Sequence, residues 1–145
     1  MKMTLQDRSN YLKGLLILIG KDKKISESER EKLIEISDLL GFDRKFCRDA
    51  IDEILGNEYI IEDPPLFSNI EIAKAFIKDG MILAFSDKEL HLYELNWLNS
   101  IIEKNRIEPG WGLNEFDRLK KHLSEKANVK PPYEISILLK NGEVI

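Results

Sequence analysis

The chain has one cysteine, Cys47, in 145 residues, so no internal disulfide can staple it and its stability must come from a packed core. A reducing compartment is the simplest setting, and the expected location is the cytoplasm. Histidine is almost as scarce: His91 and His122 do not stand at metal-ligand spacing, and neither belongs to a nucleophile motif. Glycine-rich phosphate loops and EF-hand loops are missing as well. Positive charge is not in excess, with 22 Lys and Arg against 26 Asp and Glu, and a net charge of −4 gives no global attraction for phosphates or anionic lipid. No nucleic-acid partner is therefore expected. The apolar run at residues 15–19, which none exceeds, is far shorter than the roughly twenty residues a membrane-spanning helix needs, and the first residues lack the apolar core of a secretory signal. No membrane span is expected.

What is present is globular: 43% hydrophobic and 33% charged residues, in a length suited to one domain. Leu5, Leu12, Leu15, Leu16 and Ile19 recur at helical spacing, and Ile17 and Leu18 make the end of that helix apolar on nearly every side, which predicts a central helix. Ser26 and Glu29 have the form of a capping box, which predicts a second helix with Leu33, Ile36, Leu39 and Leu40 on its core face and Gly41 as its stop. Asp43 is placed to cap a third, whose apolar set is Phe46, Ala50, Ile51, Ile54 and Leu55. Residues 57–68 carry Pro64 and Pro65 and predict an extended connector. Neither flank, at about sixty residues, would be comfortable with a core of its own, so the halves should share one.

Beyond the connector, Ile70, Ala73, Phe76, Ile77, Met81 and Ala84 trace a fourth helix, and Leu95, Leu98, Ile101 and Ile102 a fifth. Residues 108–112, with Pro109, Gly110 and Gly112, predict a loop that presents Trp111, after which Asn114 could cap a sixth helix marked by Phe116, Leu119 and Leu123 and ending near Ala127. The expected fold is all-α, a bundle of about six helices over residues 1–130. Residues 131–145 are expected to be an extended tail or small hairpin docked on the bundle, because residues 133–137 alternate in the strand manner ahead of Asn141 and Gly142.

The chain repeats itself. Residues 11–38 align with 76–103 at an offset of 65, giving eight identities in twenty-eight positions; average composition predicts about two. The pairs include Ile17 and Ile82, Leu18 and Leu83, Asp22 and Asp87, Glu29 and Glu94, Leu33 and Leu98, and Ile36 and Ile101. Two copies of a helix, joint and helix suit two pseudo-symmetric three-helix units better than a solenoid, which needs at least three repeats.

At the joints, Asp22, Ile25 and Glu29 and then Asp87, Leu90 and Glu94 follow the pattern D-x-x-Φ-x-x-x-E, where Φ is aliphatic. In this the chain resembles the tellurite-resistance TerB-like family over about residues 5–127, with Lys23 and Lys88 standing where that family commonly has glycine. The resemblance implies an all-α module of stress-response systems that acts as an adaptor or sensor through protein partners, without an established reaction and without a required cofactor. It also implies acidic residues that bind a divalent cation.

Asp22, Glu29, Asp87 and Glu94 are accordingly candidate metal ligands, since hard cations need several converging oxygens. The competing reading is structural: Glu29 completes a capping box and gains from the helix dipole. Glu94 is less simply explained, because Ser86 and Glu89 offer another box that would free it. Trp111 is a candidate partner contact, tryptophan being common at interface hot spots, and Trp97 is expected to be partly buried. Arg118, Lys120, Lys121 and Lys126 make the sixth helix locally basic and read as a solvated face. Cys47 reads as a core thiol rather than a nucleophile.

Overall fold

A computed structural model describes residues 2–20, 24–56, 63–85, 91–125, 134–135 and 143–144. They form an all-α bundle of six helices: α1 (Leu5–Gly20), α2 (Glu27–Leu39), α3 (Arg44–Gly56), α4 (Ile70–Ala84), α5 (Leu92–Lys104) and α6 (Pro109–Glu125). The internal repeat extends further than the aligned identities. All three helices of the second unit begin at the offset of 65, Leu5 answering to Ile70, Glu27 to Leu92 and Arg44 to Pro109. The caps follow suit. Thr4 Oγ1 accepts the Asp7 amide at 2.9 Å ahead of α1, and Asn69 Oδ1 accepts the Ile72 amide at 3.0 Å ahead of α4.

The apolar identical pairs are explained by burial. Leu18 and Leu83, Leu33 and Leu98, and Ile36 and Ile101 have no accessible surface, so each copy spends these matched positions on the core. The first helix of each unit lies at the centre: α1 packs on α2, α3, α4 and α5, and α4 packs on α1, α2, α5 and α6. Equivalent residues meet there. Tyr11 and Phe76, 65 positions apart, pack edge to face with ring centroids 5.3 Å apart, and Phe67 of the connector joins them at 6.0 and 5.5 Å. Gly14 permits this approach, since a Cβ there would lie 2.7 Å from the Phe76 ring.

The connector is held by its polar groups as well. Ser68 donates to Asp7 through its amide at 2.8 Å and its hydroxyl at 2.5 Å, while Asn105 accepts the Phe67 amide and donates to the Pro65 carbonyl, both at 2.9 Å. These bonds tie the connector to Asp7 of α1 and to Asn105, just beyond α5. The second helix ends in a Schellman turn: Gly41 adopts φ +88°, and the Phe42 amide returns to the Ser37 carbonyl at 3.0 Å.

Three sequence expectations are corrected. Residues 109–112 are not a loop, because Pro109 opens α6. Proline's fixed φ suits the first helical position, where its missing N–H would have no partner in any case; Asn114 is therefore inside the helix and does not cap it. Leu39 and Phe46, placed on core faces by periodicity, are 37% and 53% exposed. Finally, Glu134 and Ile135, read as part of an alternating strand, are helical, and Glu143–Val144 (β2) pairs in parallel with Lys2–Met3 (β1). The turn dipeptide Asn141 and Gly142 lies outside the described residues.

Among the described residues, no helix is long and apolar enough to cross a membrane.

Candidate functional site

The repeated joints are described at their helical ends. Ser26 accepts the Glu29 amide at 3.1 Å, and Glu29 Oε1 accepts the Ser26 amide at 2.9 Å, the reciprocal box anticipated from the sequence. In the second unit His91 precedes α5, and its amide donates to Glu94 Oε1 at 3.0 Å. Glu94 is thus engaged as a cap of its own helix, which starts at Leu92, and of the two readings left open for it the capping one applies. Both carboxylates are buried, with 6% of Glu29 and 2% of Glu94 exposed. Burial fits the cap role, because each side chain satisfies an amide that the helix leaves without an internal partner.

Asp22 and Asp87, the other two candidate ligands, lie outside the described residues, as do Ser86 and Glu89. Among the described residues, no three His, Cys, Asp or Glu side chains gather as a metal-binding group. The cap geometry makes a prediction. Glu29→Ala and Glu94→Ala should each lower stability by about 1 kcal/mol, by the same amount with and without millimolar calcium, magnesium or zinc. A loss that appears in denaturant titrations only when the cation is present would instead mark these carboxylates as ligands.

A second polar centre, at Asp79, was not singled out from the sequence. Asp79 of α4 is fully buried and accepts three hydrogen bonds, from the Tyr11 hydroxyl at 2.5 Å, the Glu134 amide at 2.7 Å and the Ile135 amide at 3.1 Å. Burial raises its pKa to about 7, against the lowering effect of the three donors. The same burial, with the charge of Asp79 beside it, pushes the Tyr11 phenol well above its usual range. One carboxyl group therefore joins the two central helices to the C-terminal segment. A signal was available in the sequence: Asp79 interrupts the otherwise apolar core stretch of α4 at the position equivalent to Gly14 of α1. The two positions have diverged in use, since Gly14 lets a ring approach and its carbonyl accepts the Trp97 indole N–H at 3.0 Å.

Beside Asp79 lies a groove of about 180 Å³ between α4 and α6, with Glu134 on its edge. Its apolar lining is Met81, Ile82 and Leu119, and its polar rim includes Lys78, Arg118 and His122. The cations are answered by carboxylates: Lys78 Nζ stands 3.7 Å from Glu134 Oε1, and Arg118 pairs with Glu115 at 2.8 Å. Trp111, the predicted partner contact, is half-buried next to this region, with Lys74 and Lys78 at 5.3 and 5.9 Å from its ring centroid. Trp97 is almost wholly buried rather than partly so, because its indole N–H finds the Gly14 carbonyl inside the core. Cys47 is buried too, and desolvation raises its thiol pKa, which keeps it protonated and poorly nucleophilic.

No family model matches the chain, and no solved structure matches it. Over 103 residues it is 30% identical to the Type II restriction enzyme MjaII of Methanocaldococcus jannaschii, an alignment covering 70% of this chain and 28% of that enzyme. The chain is similar over a length that makes up less than a third of that protein.

Proposed function

We propose that the chain is a non-enzymatic TerB-like helical module that acts by binding protein partners, in a stress-response setting of the tellurite-resistance kind. The observation that carries this reading is the recurrence of helix starts at one offset of 65, together with the cap carboxylates Glu29 and Glu94. That is the duplicated helix, joint and helix plan which the resemblance implies. Cross-linking in cells before and during tellurite exposure, followed by mass spectrometry, should return the same partner set in repeated preparations. Absence of a reproducible partner, together with turnover in an activity screen, would overturn the reading.

The restriction-enzyme similarity supports a second reading, in which the bundle is a helical part of a restriction system. The alignment spans a bundle-sized length of this chain and leaves most of the enzyme unmatched. Incubation of the purified chain with plasmid DNA and magnesium separates the two readings. The interaction module leaves the DNA intact and unretarded on a gel, whereas cleavage or retardation favours the second.

A further inference from the structure

The C-terminal segment reaches the bundle through a small, chemically specific set of contacts. Asp79 supplies acceptors to two consecutive backbone amides, those of Glu134 and Ile135, from an element more than fifty residues earlier in the chain. The Ile135 side chain is completely buried, and Glu134 stands beside Lys78 at the edge of the groove. The socket therefore recognises three things at once: a turn with two free N–H groups, an acidic side chain on the first of its residues, and an aliphatic side chain on the second.

We propose that this Asp79 socket is a docking site for peptide segments, that the Glu134–Ile135 turn is its resident occupant, and that a partner segment with the same acidic–aliphatic turn exchanges with it. The inference rests on the interaction-module reading and names its surface and the chemistry of its partner. The acceptor inventory sets what an exchanging segment must offer. When the resident turn leaves, two of the three donors to Asp79 leave with it, and a carboxyl group enclosed by α1 and α4 is left short of partners. Another turn with two unpaired amides replaces them. Lys78 favours an acidic residue at the first position because its ammonium faces the site now held by Glu134. The pocket of Ile135 rejects a charged second residue, which could not be solvated there. The groove lined by Met81, Ile82 and Leu119 continues from the socket, so the incoming chain has an apolar surface to follow.

The test uses the full-length chain and a fluorescent synthetic peptide with the sequence of residues 131–145. In Ile135→Asp the resident turn is displaced, and this variant should bind the peptide at least tenfold more tightly than the parent, whose own turn competes. Adding Asp79→Asn to that variant should weaken binding at least tenfold, because the amide N–H₂ turns a donor toward the incoming amides. A peptide with lysine at the position of Glu134 should also bind more weakly. If Ile135→Asp does not keep its helical circular dichroism, Glu134→Pro takes its place, because proline removes one docking amide. Equal peptide binding by parent and displaced variant, or binding indifferent to Asp79→Asn, overturns the proposal. A cellular partner that cross-links equally to the parent and to Asp79→Asn also overturns this surface, yet leaves the module reading standing.

Discussion

Asp79→Asn should flatten the dependence of stability on pH between about 4 and 7. The folded-state pKa of Asp79, about 7, lies above the ordinary value of 3.8 that applies when the chain is unfolded. A raised carboxyl pKa means that the folded state holds the proton more tightly. The contribution of Asp79 is thus fully present below pH 3.8 and is lost as pH rises through 7. Over that window the change is on the order of 4 kcal/mol. Asparagine does not titrate, so the variant should show a level profile where the parent falls. Tyr11→Phe should extend the fall to higher pH, because it removes a donor that favours the ionised form. Urea unfolding at half-unit pH intervals measures all three proteins, and parallel profiles for parent and Asp79→Asn would sink the assignment.

Asp7 acts in the opposite sense and sets the acid limb. Burial pushes its carboxyl up, but the Ser68 hydroxyl and amide and the contacts with Thr4 outweigh that and leave the pKa below 3.8. Its contribution is present above that value and is lost as pH falls through the lowered one. The parent should therefore lose stability on both sides of a maximum in mildly acidic solution, whereas Asp79→Asn should retain only the acid limb.

Phe76→Ala should cost about 3–5 kcal/mol, the range for removing a large aromatic ring from a closed core. Phe76 has no accessible surface and sits where the two units meet, with Tyr11, Phe67 and the Gly14 backbone around it. Neither α1 nor α4 can easily collapse into the gap, because each is held by several neighbours. Phe46→Ala is the matching control. Its ring is 53% exposed and stacked on Phe42 at 5.5 Å, so its loss should cost under about 1 kcal/mol. Guanidinium midpoints for the two variants measure the contrast. Similar losses would mean that the aromatic centre is not the shared core of the two halves.

Sequence periodicity placed both phenylalanines on core faces, and only one of them is there. Periodicity assigns a residue to a side of its helix, but whether that side is covered depends on the neighbour that arrives. α1 and α4 have helices around them and bury nearly everything apolar, whereas the face of α3 that carries Phe46 is left open. The loop expected at residues 108–112 failed for a local reason, since Pro109 and two glycines read as chain breakers until the proline is placed at the first position of a helix. The offset of 65 would have found that start, because Arg44 and Pro109 are equivalent.

The tail shows the same division. Residues 133–137 alternate in polarity, but the amides of Glu134 and Ile135 go to a carboxylate on α4 rather than to a neighbouring strand. No local pattern encodes a bond across that sequence distance. Asp79 was overlooked for a related reason: a single acid in an apolar helix carries meaning only once its partners are known, and these come from α1 and the distant C-terminal segment.

By itself the sequence determined the all-α class, the six helices, the duplicated plan and the capping box of α2, because hydrophobic period and end-cap chemistry act over a few residues. Tertiary structure alone decided that Tyr11 meets its own counterpart Phe76 and that Asp79 holds the C-terminal turn. Those outcomes depend on which groups lose water together. Burial turns Asp79 from an ordinary surface acid into the carboxyl that titrates near neutrality and grips the end of the chain.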